Sequence, residues 1–266
     1  MNPADYAKNG ITEVRIASTM DGSMEPSLFY PAFGTAPRPL LVGLHTWSCD
    51  RHNQVDALVP MARQNNWHLI LPEFRGPNLD TNPRAREACG SLLARQDIVD
   101  AVDWACANYA VDRSAILLYG CSGGGHMALM MAGYRPTLWR SVAAFVGITD
   151  VEAWHGENPN YARHIAACCG GVPSDATHAE YRERSPVTHA AAIAKSDTVI
   201  YHGKYDNSVP VEQALRLYPL IQAADRSGRV YLRIFDGGHD TLLDETVAQF
   251  NAALARTDVR RQDVTG

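Results

Sequence analysis

The chain has 266 residues, with 24 basic and 29 acidic side chains and a formal net charge of −5, giving a pI near 6.0. That length suits one large domain, and the basic residues neither dominate nor cluster, which excludes the electrostatic footprint of a nucleic-acid binder. No apolar run approaches the ~18 residues of a membrane helix, so neither nucleic acid nor a membrane is expected as a partner.

The opening stretch MNPADYAKNGITEV has no basic segment followed by an apolar one, so no secretory leader is expected. The six cysteines, Cys49, Cys89, Cys106, Cys121, Cys168 and Cys169, do not resemble a disulfide framework in a chain this long. Cys106 and Cys121 are expected as small buried hydrophobes and Cys168-Cys169 as packed thiols, which fits a cytoplasmic location. There is no H-E-x-x-H and no C-x-x-C, so neither a metal nor another cofactor is expected. Arg256, Arg260 and Arg261 read as solvated tail residues.

In chain order, Ile11 to Ser18 alternate apolar and polar side chains, Asp21-Gly22 makes a turn, and Ser27 to Phe33 resume the extended pattern, which predicts an antiparallel hairpin. Pro37 and Pro39 break the chain before a short buried strand, Leu40 to Leu44. Val55 to Asn65 is a helix with Val55, Leu58, Val59 and Ala62 on one face. A strand from Trp67 to Leu71 is followed by a long loop through Phe74-Arg75-Gly76. A helix from about Ser91 to Tyr109 places Leu92, Ile98, Val102 and Ala105 near one face.

Ala115 to Tyr119 is the next buried strand, and His126 to Tyr134 reads as an apolar helix. Ser141 to Ile148 is another strand, ending at Thr149-Asp150. Residues 151–196 leave the alternation, being richer in His, Tyr, Arg and Asn, and are expected to form a small helical lid. Trp154, His155, Tyr161, Arg163 and Arg184 are its candidate substrate contacts. Thr198 to Tyr201 is a strand, Val211 to Ala223 a helix, Val230 to Phe235 the last strand and Thr241 to Leu254 the last helix. Such alternation predicts one α/β domain over residues 1–266, a mostly parallel twisted sheet with helices on both faces and ligands beyond the carboxyl ends of its strands.

Between the strand at 115–119 and its helix lies Gly120-Cys121-Ser122-Gly123-Gly124, which fits G-x-S-x-G. In that pattern a serine occupies the apex of a sharp strand-to-helix turn, with glycines where the backbone crowds itself. A phosphate loop needs a lysine near the helix start, where this chain has His126-Met127, and a dinucleotide fingerprint fails because residue 122 is Ser. A serine hydroxyl is a poor nucleophile at neutral pH and needs a base, itself oriented by a carboxylate.

Two later strands end in such groups. The strand at 198–201 runs into His202-Gly203-Lys204-Tyr205-Asp206, and that at 230–235 runs into Asp236-Gly237-Gly238-His239. Ser122 is therefore assigned as nucleophile, Asp206 as the acid and His239 as the base, in the chain order Ser, Asp, His. Asp150 also follows a strand and is the alternative acid, or else shapes the hinge of the lid or the substrate floor. Asp236 and Asp240 are expected to be solvated or capping residues, and His126 to be a packed or site-edge residue rather than the base. Cys121, one position before the apex, should face away from the cleft. The developing oxyanion needs N–H donors. Gly123 is one; Trp47 is favoured as the second, with Thr46 as alternative, and the Trp47 indole is a candidate lining of the acyl pocket.

These residues resemble the α/β-hydrolases, and within them the catalytic domain of the prolyl oligopeptidase-like serine hydrolases. The resemblance covers nearly the whole chain. It rests on Asp21-Gly22, Phe74-Arg75-Gly76, Gly120-Cys121-Ser122-Gly123-Gly124, Arg184-Ser185-Pro186, the run His202 to Pro210, and Gly238-His239. It implies a serine hydrolase whose Ser122, Asp206 and His239 carry the triad. No segment corresponds to the propeller that restricts the peptidase members, and His45-Thr46-Trp47 is not their usual Gly-Gly-Pro loop. An esterase acting on a small-molecule ester or acyl substrate is therefore expected ahead of a peptidase or acyl-peptide hydrolase, and a non-catalytic binding protein comes last.

Overall fold

A computed structural model describes residues 1–257; Arg260 and Arg261 lie outside them. Eight strands form one sheet: β1 (Thr12–Ala17), β2 (Met24–Tyr30), β3 (Arg38–Leu44), β4 (His68–Pro72), β5 (Val111–Cys121), β6 (Ser141–Phe145), β7 (Asp197–Gly203) and β8 (Arg229–Phe235). Their order is β1-β2-β4-β3-β5-β6-β7-β8. β2 pairs antiparallel with β1 and β4, and every later neighbour is parallel.

Helices cover both faces, and the alternation of side chains along each strand decides what each face buries. Leu40, Val42, Leu44, Ile116, Leu118, Val142 and Ala144 join one core with Ile98, Val102, Met127 and Leu217. Leu41, Leu117, Tyr119, Ala143 and Phe145 join the other with Leu58, Val59 and Phe250. The helices of the first core include α2 (Leu92–Asn108) and α3 (Gly123–Tyr134), while α1 (Val55–Asn65) belongs to the second. Burying each of these leucines and isoleucines contributes about 1.5–3 kcal/mol, so the central strands read as continuous apolar runs. Leu92 departs from its expected face: at the first turn of α2 it is exposed.

Between β6 and β7 the alternation is interrupted by α4 (Val151–Glu157), α5 (Pro159–Cys169), α6 (His178–Glu183) and the single turn α7 (Ala190–Ile193). A third core of Trp47, Cys89, Ile148, Trp154, Ile165, Cys168, Tyr181 and Val209 seats α4 to α6 over the carboxyl edge of the sheet. α8 (Glu212–Ala224) and α9 (Leu243–Ala255) complete the described chain.

Several boundaries move for identifiable reasons. β6 stops at Phe145 rather than Ile148, because Val146 takes a positive φ of 43° and the chain turns out of the sheet. β2 begins at Met24, three residues before the expected start, since it pairs with β1 from Ala17 onward. α3 begins at Gly123, directly after the serine. Arg256 is no solvated tail residue: its guanidinium bonds Asp197 Oδ2 at 2.6 Å, and its carbonyl accepts from the Arg140 guanidinium. The six cysteines are free thiols, and Cys106 is only half-buried. Among the described residues no helix is long and apolar enough to cross a membrane.

Candidate active site

β5 carries the chain through the middle of the sheet and ends at Cys121, so Ser122 stands at its carboxyl tip. Ser122 has φ 56° and ψ −120°, a conformation that costs an L-residue roughly 1–3 kcal/mol and persists only where the surroundings over-determine it. Here they do. The Ser122 N–H donates to Phe145 O at 2.9 Å, and the His126 N–H donates to Ser122 O at 2.9 Å, which starts α3. A Cβ on Gly120 would lie 2.0 Å from Gly124 O, and one on Gly124 would lie 2.5 Å from Leu44 O. The turn therefore closes only with glycine on both sides.

The same tightness brings the loop after β3 onto the head of α3. A Cβ on Gly123 would meet Trp47 N at 2.4 Å, so the two backbones touch. The Thr46 N–H is committed to Asn53 Oδ1 at 3.0 Å. The Trp47 indole is buried rather than open to a pocket; it packs edge-on against Trp154, with ring centroids 4.9 Å apart.

The acid and base loops follow β7 and β8, which are neighbours, and their backbones are stitched together. Lys204 N–H donates to Phe235 O at 2.9 Å and Tyr205 N–H to Gly237 O at 2.9 Å. Asp206 then reaches His239: Oδ2 lies 2.7 Å from Nδ1. Its other oxygen accepts the Ser208 and Val209 N–H groups at 2.8 and 2.9 Å. Burial pushes the Asp206 carboxyl up, but the bonds from His239, Val209 and Ser208 outweigh it and hold the group below the ordinary carboxylate range. An ionised acceptor accepts both N–H bonds and still orients an imidazole through its Nδ1–H. Asp240 Oδ2 accepts the Gly238 N–H at 3.1 Å and so shapes the base loop, while Asp236 is exposed.

Two contacts relate this pair to the elbow. The Cys121 thiol, one residue before Ser122, is pushed up to about 12 by burial and then by the charges of Asp206 and Asp240. Tyr119, two residues further back, has its hydroxyl pushed up by burial and by the Cys121 thiol and drawn down by Thr241, just beyond the base. All five expected residues thus lie at one edge of the sheet, with His239 on Asp206 and Gly123 against Trp47.

The remaining candidates serve other ends. The Asp150 side chain caps α4 by accepting the Ala153 N–H at 3.0 Å, which fits a hinge of the insertion. His126 is fully buried, and burial pulls its pKa down to about 4; as a neutral ring it donates Nε2–H to Arg184 O at 2.7 Å. Arg184, a candidate substrate contact, is instead buried, its guanidinium donating to the carbonyls of Arg86, Ala88 and Cys89. Trp154 is buried as well, Tyr161 and His155 are half-buried, and Arg163 is exposed.

Sequence reasoning missed the supports of the acid loop. His202 is buried, and its Nε2 donates to Val209 O at 2.8 Å. Trp154 Nε1 and Asn158 Nδ2 both donate to Ser208 O, at 3.0 and 2.9 Å. No local signal marks the last two contacts, because they span about 50 residues of intervening chain. It also missed the role of Arg75, whose motif was visible: the guanidinium bonds Asp97, Asp21 and Glu87.

An eight-stranded, mostly parallel sheet with a strained serine turn and an Asp–His pair on the loops after its last two strands defines an α/β-hydrolase. Within that class the family is equally plain. Residues 94–255 match the model of the prolyl oligopeptidase family, and the chain belongs to that family of hydrolases. It is 33% identical over 161 residues to Esterase LipC of Mycobacterium tuberculosis, covering 54% of this chain and 40% of that protein. Acylamino-acid-releasing enzyme 1 of Oryza sativa subsp. japonica is 23% identical over 211 residues, covering 74% of this chain and 27% of that protein. The chain thus spans well under half of either relative. Among solved structures, a Mycobacterium tuberculosis puromycin-hydrolyzing peptidase aligns with a TM-score of 0.72 at 17% identity, over 92% of this chain and 38% of that one. The uncomplexed Pyrococcus horikoshii acylaminoacyl peptidase gives 0.69 at 18% identity, over 92% and 40%.

Proposed function

We propose that this protein hydrolyses carboxylic esters of small-molecule substrates through an acyl-enzyme. In this reading residues 1–266 form one hydrolase domain with residues 151–196 as its lid. Ser122 attacks the carbonyl carbon, His239 takes the hydroxyl proton and later delivers it to the leaving alkoxide, and Asp206 holds His239. Water then repeats the sequence on the acyl-enzyme and frees the acid. Gly123 and Trp47 donate their N–H groups to the oxyanion; the commitment of Thr46 N–H to Asn53 supports Trp47 over its neighbour.

The 2.7 Å contact between Asp206 and His239 carries the proposal. It leaves a base with its tautomer set at the sheet edge where the elbow ends. The similarity to an esterase supports ester substrates. A second reading, cleavage of acylated or free aminoacyl amides, is supported by the acylamino-acid-releasing relatives.

The test is turnover of short-chain aryl esters with stopped-flow detection of a burst equal to the enzyme concentration. Ser122→Ala is expected to lose the burst and about 10⁶-fold in kcat; full activity in that variant would end the mechanism. A ratio of kcat/KM favouring aminoacyl anilides over matched aryl esters would select the peptidase reading. Failure of a fluorophosphonate to label Ser122 would favour a non-catalytic binding role.

A further inference from the structure

The helical insertion donates two hydrogen bonds to one atom of the acid loop. Ser208 O accepts from Trp154 Nε1 at 3.0 Å and from Asn158 Nδ2 at 2.9 Å, so both of its lone-pair directions are used. The N–H of the same residue donates to Asp206 Oδ1. The Ser208 backbone is therefore gripped from two sides: the acid holds its N–H and the insertion holds its carbonyl. Trp154 is 1% exposed, and its ring also packs edge-on against Trp47, the residue whose backbone meets Gly123. One indole thus touches the oxyanion loop with its ring and the acid loop with its N–H.

We propose that Trp154, with Asn158, is a positioning residue for catalysis: the two donors fix the Ser208 peptide so that Asp206 keeps the orientation that ties His239, making the docked insertion a condition of activity. The inference rests on the triad reading above. A buried carboxylate whose neighbouring peptide is fixed has one orientation; released from the insertion, that peptide and the carboxylate bonded to it share alternatives. Asp206 then stabilises less well the imidazolium that forms in the transition state. kcat accordingly falls while KM changes little.

Other charged and titratable groups face this pair. His202 Nε2 lies 3.7 Å from Asp206 Oδ2, the Cys121 thiol feels Asp206 and, from the base-loop side, Asp240, and Glu212 of α8 acts on His202. The variants below alter none of them.

Trp154→Phe keeps an aromatic ring beside Trp47 but removes the N–H, and Asn158→Ala removes the second donor. We expect the W154F/N158A enzyme to lose about tenfold in kcat on aryl esters, with KM little changed. In a D206N background the same two substitutions are expected to add almost nothing, because the group they orient is gone. A W154F/N158A enzyme with wild-type kcat would overturn the proposal, as would one whose only change is a lower urea midpoint or one whose loss is equal in D206N. Should the double variant fail to fold, the two single variants carry the same comparison, each removing one donor to the same oxygen. Persistence of turnover in Ser122→Ala would instead sink the triad reading itself, so the two failures are distinguishable.

Discussion

Two polar clusters in this molecule gather charges from distant parts of the chain, and they do so to opposite ends. Around Arg75, just after β4, the guanidinium is fully enclosed and bonds Asp21 of the first hairpin, Glu87, and Asp97 of α2, with Glu25 at 3.5 Å. Burial alone pulls an arginine towards neutrality, but these carboxylates hold Arg75 charged, above its ordinary range. At the proposed catalytic centre the Asp206 carboxylate is equally enclosed, yet its partner His239 keeps a side chain 31% exposed. The difference lies in the partners. A buried charge met by several permanent opposite charges locks loops together, whereas a buried charge paired with one imidazole leaves a group able to move a proton.

Replacing the acid breaks that comparison most sharply. In Asp206→Asn the amide oxygen still accepts the Ser208 and Val209 N–H groups, which turns the NH₂ towards His239 Nδ1. A donor there forces the proton onto Nε2, the nitrogen that must accept from serine. We expect kcat to fall about 10⁴-fold while thermal stability drops by only about 1 kcal/mol. Activity within tenfold of wild type in steady-state assays would remove Asp206 from the mechanism.

Arg75→Met should invert the pattern. Asp97, with its side chain 1% exposed, is left as a buried carboxylate without its cation, a change that typically costs about 3–5 kcal/mol. Urea denaturation followed by circular dichroism is expected to show that loss, while the folded fraction keeps its kcat. A stability change below about 1 kcal/mol would mean that the cluster is no more than a surface-like ion pair.

The same contrast explains what could be read from the sequence. The elbow was legible because its constraints are local: Gly120, Ser122 and Gly124 stand two apart and are required by the crowding of one turn. The acid and base were legible because each follows a strand whose apolar run marks its end. The order of strands in an α/β chain then places those ends side by side. Asp21, Arg75 and Arg184 were visible as motifs, but their purpose was not, since an ion pair such as Asp21 with Arg75 spans 54 residues and no periodicity reports it. The positive φ of Val146 that ends β6 early, and the indole of Trp154 on Ser208 O, depend on how the insertion docks, which composition does not encode.

Asp150 supplies the smallest and most discriminating effect. It ends the stretch after β6, as an alternative acid would, but its carboxylate accepts the Ala153 N–H, and the peptide N–H groups of Thr149 and Asp150 are both held by Gln213 Oε1, at 2.9 and 2.8 Å. Losing an N-cap carboxylate costs a helix about 1 kcal/mol, and α4 is only seven residues long. Asp150→Ala is therefore expected to lower the urea midpoint slightly and to leave kcat intact, because the Asp206–His239 contact is untouched. A fall in kcat comparable to that of Asp206→Asn would transfer the role of acid to residue 150. A moderate fall that disappears in a D206N background would instead mean that the start of α4 must be capped for Trp154 to reach Ser208, linking helix capping to proton transfer through a single carbonyl oxygen.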